Sequence, residues 1–328
     1  MTPGTANRAG VARSRVSVEV RFVVLACASL LACEPQVSAV LPPLELEQVE
    51  SAGSSYAAVV QRTPGLAAYF RFSEPGGLTA VDRVGSYRLT AEEGATLGAE
   101  EGAIPDDPET GAASFVGDVA SRLTMPFPSK FQEFTSALSL ELWLKLRGVE
   151  GGCAQPSEGW TKLIWVQGIS GAAWGLAISD ENAVSFELQL DNFDDPYLLV
   201  EAQTVAGVLE RPTDSACDEG RWQHVVATFD VAAEAGNMQI YVDGELTPSN
   251  GELHPLNFEG VSPESSIAGF EVDPRVDVGG SGAVFDDGTG ELQSLGDPLD
   301  GSIDELAIYR RALTASEVAA HFEAASSE

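Results

Sequence analysis

Between residues 138 and 146 every second residue is leucine: Leu138, Leu140, Leu142, Leu144 and Leu146 alternate with Ser139, Glu141, Trp143 and Lys145. Side chains change face every residue along a strand but turn by 100° per residue around a helix, so a helix would scatter these leucines over its whole circumference. The segment is therefore a strand with one apolar face, and it needs a partner layer to cover that face. Val225, Ala227 and Phe229 alternate in the same way with His224, Val226 and Thr228. Further strands are expected at 66–72, 87–91, 112–116, 120–125, 161–167, 173–178, 183–190, 196–203, 237–243 and 302–309. Asp243-Gly244 follows one of them and reads as a hairpin turn, because a type I′ turn needs positive φ, which Asp and Gly tolerate. One helix is expected, at the C-terminus. There Thr314 and Glu317 form a capping box, with Leu313 and Val318 spaced as its hydrophobic staple and Phe322 one turn further on. Many short strands with a single terminal helix read as all-β, two antiparallel sheets packed face to face.

The first 54 residues are different in kind. Arg8, Arg13, Arg15 and Arg21 precede an apolar run from Phe22 to Ala32 and then Cys33. A charged region, a short hydrophobic region and small residues at a cleavage point are the parts of a secretory signal. The run is too short for a membrane-spanning helix, which needs roughly 20 residues. Leu30-Leu31-Ala32-Cys33 resembles the lipobox of bacterial lipoproteins, which implies cleavage before Cys33 and a lipid on its thiol. Glu34 stands where that family's inner-membrane retention signal has Asp, so the expected location is the cell envelope, lipid-anchored in the outer membrane or at the cell surface. Residues 1–32 are thus expected as signal peptide, 33–54 as a flexible tether with Pro35, Pro42 and Pro43, and 55–325 as the folded domain.

Charge narrows the partners. With 18 basic against 50 acidic residues and a formal net charge of −32, the chain lacks the clustered cations that bind nucleic acid. Cations are favoured as partners, and contact with a membrane is expected only through the anchor. Removing residues 1–32 takes Cys27 away and lipid takes Cys33, which leaves Cys153 and Cys217 as an even pair in an oxidising compartment, expected as one disulfide.

Five segments resemble the laminin-G-like domains of the concanavalin A-like lectin/glucanase superfamily. They are Tyr56 to Phe72; Leu138 to Lys145; Arg221-Trp222-Gln223-His224-Val225-Val226-Ala227-Thr228-Phe229-Asp230; Ile240-Tyr241-Val242-Asp243-Gly244; and Asp300-Gly301-Ser302-Ile303-Asp304-Glu305-Leu306 onward to Leu313. The resemblance implies a jelly roll with its concave face or one rim available to ligands. It also implies a structural calcium ion. Asp304 would supply side chain and carbonyl, with further oxygens from near Phe72 to Glu74 and from Asp82 to Gly85, so Glu74 and Asp82 join Asp304 as expected metal residues. The chain departs from the common pattern at 148–160 and 191–221, two long polar insertions that hold Cys153 and Cys217, and at the loop-rich 254–299.

The superfamily's β-glucan-cleaving enzymes carry a Glu-x-Asp-x-(x)-Glu run on one strand, since retaining hydrolysis needs two carboxylates about 5–5.5 Å apart. Glu271-Val272-Asp273 begins such a run, but Pro274 and Arg275 follow and no second Glu completes it. Glu187 and Asp191 have the wrong interval. Asp191, Asp194, Asp195, Asp286, Asp287 and Glu291 form acidic loop clusters that match no EF-hand. Trp160, Trp165, Trp174 and Tyr197 are candidates for stacking on sugar rings; Trp160, Tyr197 and Trp174 are taken as the ligand-binding residues, while Trp143 and Trp222 are assigned to the framework. The expectation is a monomeric, non-catalytic surface protein that binds a glycan or a protein. The competing readings are a polysaccharide-active glycoside hydrolase with an unrecognised carboxylate pair, and a purely structural envelope protein.

Overall fold

The computed structural model describes residues 55–326, apart from 93, 106, 108–110, 119, 129, 132–135, 149–159, 168–171, 192–197, 213–218, 234–236, 249–265, 268–274, 282–283, 287–291 and 295–297. The chain divides into a unit Met1–Val49 and a unit Glu50–Glu328, and all described residues belong to the second. In chain order its elements are α1 (Tyr56–Arg62), β1 (Leu66–Phe70), β2 (Thr79–Val81), β3 (Arg88–Ala91), β4 (Thr96–Glu100), β5 (Ala112–Val116), β6 (Leu123–Pro126), β7 (Ala137–Arg147), β8 (Trp160–Gln167), β9 (Ala172–Ser179), β10 (Val184–Asp191), β11 (Leu198–Gln203), β12 (Glu219–Asp230), β13 (Met238–Val242), β14 (Glu245–Leu246), β15 (Ser266–Ile267), β16 (Arg275–Val278), β17 (Val284–Asp286), β18 (Leu292–Ser294), β19 (Asp300–Tyr309) and α2 (Ala315–Ser326).

Two antiparallel sheets carry the fold. The first runs β14-β13-β12-β7-β19-β5-β4, with β1 also paired to β19; the second runs β11-β10-β9-β8-β16-β6-β3-β2, with β15 on β10. The two-sheet antiparallel sandwich expected from the strand pattern, and the jelly roll that the family resemblance implies, is what forms. Leu138, Leu140, Leu142, Leu144 and Leu146 of β7 point into a core shared with Ile164, Val166, Trp174, Phe186 and Val276 of the second sheet. The Asp243-Gly244 turn joins β13 to β14 with φ of 51° and 80°, as a type I′ turn requires.

The intervening residues of β7 are buried as well, so the strand is covered on both faces. A second core lies outside the first sheet, where Tyr56 and Val60 of α1 and Leu313, Val318 and Ala325 around α2 pack on Trp143, Val226, Tyr241 and Tyr309. Phe322 stacks on Trp143 with ring centres 5.9 Å apart. The capping box forms as expected: Glu317 N donates to Thr314 Oγ1 at 3.3 Å and Thr314 N donates to Glu317 Oε2 at 2.9 Å.

One expectation is corrected here. A single helix was expected, at the C-terminus, yet Tyr56–Arg62 is a second one. Ser55 caps it by accepting from Ala58 N at 3.3 Å, Ala57 and Ala58 favour it, and Tyr56 and Val60 meet the sheet from one face at i and i+4. Thr63-Pro64 ends it, since the residue before a proline is steered away from the helical region.

A buried polar network ties both helices to the first sheet. Glu141 of β7 has no solvent contact and accepts from Tyr56 Oη at 2.9 Å and Tyr309 Oη at 2.8 Å. His224 Nε2 lies 2.8 Å and His321 Nδ1 3.0 Å from the same carboxylate. The hydroxyl proton of Thr63 goes to the Val59 carbonyl, so Thr63 Oγ1 accepts from His321 Nε2 at 2.8 Å. His321 thus bridges the Glu141 carboxylate of the sheet and the end of α1.

Candidate functional site

The first sheet's outer face is closed by α1 and α2. On the second sheet no described helix covers the outer face, and register shows what stands there. β8 pairs Trp160 with Ser179, Lys162 with Ala177 and Trp165 with Gly175 of β9; a bulge between Lys162 and Ile164 keeps Lys162 and Trp165 on one side while Leu163 and Ile164 go to the core. Continuing across the sheet, Gly175 faces Glu187 of β10, and Glu187 faces Glu201 of β11. In the other direction Trp165 faces Asp277 of β16, and Asp277 faces Thr124 of β6. The result is one transverse row, Thr124, Asp277, Trp165, Gly175, Glu187, Glu201, with one residue from each of six neighbouring strands.

The local chemistry explains the arrangement. A methyl group on Gly175 would lie 2.3 Å from Trp165 Cε3, so the indole rests flat on the glycine. Lys162 Nζ stands 3.6 Å from the Trp165 ring centre and 3.8 Å from Glu187 Oε1. Its ammonium is thus shared between a π face and a carboxylate. Ser185 Oγ donates to Glu201 Oε1 at 2.6 Å. Burial pushes the Glu187 carboxyl above its ordinary range, Lys162 pulls it back, and the like charge of Glu201 adds to the rise. Lys162, Trp165 and Asp277 are buried, Glu187 and Gln203 half-buried and Glu201 exposed, so the row opens toward the β11 edge.

Of the expected ligand-binding residues, Trp160 lies on this face, half-buried, at the end of β8 beside Lys162. Trp174 does not: it alternates with Gly175, points between the sheets and is fully buried against Phe127 and Phe131. A ring with no exposed surface has no face to offer a sugar, so that assignment is corrected. Tyr197 lies outside the described residues, as do Cys33, Cys153, Cys217, Asp194, Asp195, Asp287, Glu291 and the run Glu271-Val272-Asp273. The partner of Glu187 is Glu201 and not Asp191, a pairing that spacing along one strand does not show because it forms across a hairpin, fourteen residues apart.

The residues expected at calcium are held separately. Asp304 Oδ2 accepts from Ala103 N at 2.8 Å and Oδ1 from Glu305 N at 2.7 Å. Asp82 accepts from the amides of Tyr69, Val84 and Gly85. Glu74 Oε1 accepts from Val81 N at 3.0 Å, and its buried Oε2 has no hydrogen-bond partner. The cation next to Asp304 is the buried Arg71, whose Nε donates to Glu305 at 3.0 Å and whose Nη2 pairs with Asp107. Among the described residues no three His, Cys, Asp or Glu side chains gather as a metal-binding group.

A family model described as the concanavalin A-like lectin/glucanases superfamily matches residues 120–319. No curated protein matches the chain. Among solved structures, the binding domain of botulinum neurotoxin serotype G is 17% identical, with 79% of this chain and 51% of that one covered at a TM-score of 0.49. A sialidase of Trypanosoma rangeli, in complex with sialic acid, is 15% identical over 79% of this chain and 33% of the enzyme, at a TM-score of 0.44. This chain thus spans about half of the toxin domain and a third of the sialidase.

Proposed function

The chain belongs to the concanavalin A-like lectin/glucanases superfamily, and from that premise we propose that it is a lipid-anchored surface protein that binds a glycan noncovalently on the outer face of its second sheet. The observation that carries this reading is the row around Lys162, Trp165, Glu187 and Glu201, with Trp160 beside it, on the sheet face that no described helix covers. Cross-strand carboxylates accept from hydroxyls, buried Lys162 and Trp165 hold Glu187 in place, and half-buried Trp160 offers an aromatic face to the C–H side of a sugar. A glycan array, followed by polysaccharides with product detection, tests it. Binding that is lost in Trp160→Ala and Glu187→Gln, without products, is expected. Undiminished binding in both variants would falsify it.

One observation favours hydrolysis as a second reading. Glu187 and Glu201 are opposed across strands, and burial raises the Glu187 carboxyl above its ordinary range, as a general acid of a carboxylate pair requires. Product release that disappears in both Glu187→Gln and Glu201→Gln would select this reading over simple binding.

The anchor, the bridge and the metal are parts of the proposal with tests of their own. Cys33→Ser should move the protein from the detergent phase to the aqueous phase. For Cys153–Cys217 the support is the register Glu219↔Arg147, which sets the end of one insertion against the start of the other; non-reducing peptide mapping should show one cross-linked pair. Calcium at Asp304 should appear as a melting midpoint that drops with chelator in wild type and not in Asp304→Ala.

A further inference from the structure

On the first sheet, beyond the end of the helical cover, an open cleft of about 650 Å³ lies between Glu100–Pro105 and the start of β12. Glu100, Glu101, Lys145, Glu219, Arg221 and Trp222 supply its polar and aromatic lining. The volume is in the range of small-ligand sites, roughly 300–1,000 Å³. Trp222, assigned to the framework from sequence, is half-buried here. It pairs in register with Lys145 of β7, and Lys145 Nζ sits 5.0 Å from its ring centre.

Charge decides what the cleft can hold. Lys145 Nζ is 2.6 Å from Glu219 and 3.4 Å from Glu100, and Arg147 Nη2 reaches Glu100 at 2.5 Å and Glu219 at 3.8 Å. Arg221 bridges Glu210 and Asp243, each at 2.8 Å. The cations at Lys145 and Arg221 oppose a cationic guest, while Glu100, Glu101 and Glu219 oppose an anionic one. Paired charges still expose lone pairs and N–H groups, since the side chains of Glu219 and Arg221 are 46% and 47% exposed. A neutral guest with hydroxyls on its edge and C–H bonds on one face matches the donors, the acceptors and the indole together.

We infer that this cleft is a second binding site, for a neutral saccharide, at the foot of the two insertions and separate from the face around Trp165. It would let one chain hold a polymer at two points, or two glycans at once.

Calorimetric titration of the intact chain tests it, with maltose, cellobiose, lactose and N,N′-diacetylchitobiose as neutral probes and glucosamine and glucuronic acid against glucose as charged controls. Saturable binding of at least one neutral disaccharide is expected, weakened at least tenfold in Trp222→Ala and several-fold in Glu219→Gln, and unchanged in Trp165→Ala. Both charged monosaccharides should bind more weakly than glucose. Glu219 is exposed, so its variant keeps the test valid if Trp222→Ala fails to fold. The inference is overturned if none of the four disaccharides saturates, if Trp222→Ala and Glu219→Gln bind as wild type does, or if a charged sugar equals glucose. Loss in Trp165→Ala with retention in Trp222→Ala would also overturn it, while leaving the proposed second-sheet site standing.

Discussion

Glu141, which is fully buried, accepts from two tyrosines and faces two histidines. Deleting one member of a buried, charge-assisted cluster strands the others, so Glu141→Ala should lower unfolding free energy by about 3–5 kcal/mol, read from urea midpoints at constant slope. The same cluster sets a pH dependence. Burial lowers the His321 pKa, but the charge and hydrogen bonds of Glu141 raise it more, to a net value above the ordinary 6.5. A raised imidazole contributes stability that is complete below its unfolded value and is lost as pH climbs through its folded one. Glu141 itself is held well below the ordinary 4.5, despite burial, by the two histidines, so its contribution is present above that value and is lost in acid. Stability from the pair should therefore peak between those two unfolded values and decline from neutral into mildly alkaline pH. His321→Gln should flatten the alkaline limb; an unchanged slope would mean that another group titrates there.

At the scale of elements, the C-terminal helix depends on its start and on one turn of the sheet. Thr314→Ala removes the capping hydroxyl and should cost about 1 kcal/mol. Gly244 has φ of +80°, and a methyl group there would meet Phe322 at 3.0 Å, so Gly244→Ala strains the β13–β14 turn and pushes on α2 together. Its expected cost is more than about 1 kcal/mol, measured by thermal or chemical unfolding. Gly175 is a corresponding point under the candidate site. Gly175→Ala would displace the Trp165 indole and with it the Lys162 ammonium, so it should change near-ultraviolet circular dichroism while far-ultraviolet signal stays constant. An unaltered aromatic signal would show that the ring does not lie on that glycine.

For the whole molecule, a formal charge of −32 opposes compaction, and screening should relieve it. Raising sodium chloride from about 20 to 200 mM should lift the melting midpoint by a few degrees, since the Debye length falls below typical surface-charge spacings. A midpoint independent of salt would place the excess carboxylates too far apart to matter. The alternating leucines of β7, the Asp243-Gly244 turn and the Thr314-Glu317 box were legible because each is a local pattern whose geometry follows from neighbours within a few residues. By itself the sequence thus determined an all-β sandwich with a capped terminal helix, and the family segments along it. It misread Tyr56–Arg62, where weak local preference for helix becomes decisive only once the sheet offers a surface to cover. It could not rank the tryptophans either. Trp174 and Trp165 lie in neighbouring strands of the same sheet, and which one faces the core depends on a bulge at Leu163 and on the register of β8 with β9. The burial of Glu141 between two helices, and the meeting of Glu187 with Glu201, were decided only by tertiary structure, because pairing between distant segments, not spacing along the chain, sets the dielectric and the charges that a side chain experiences.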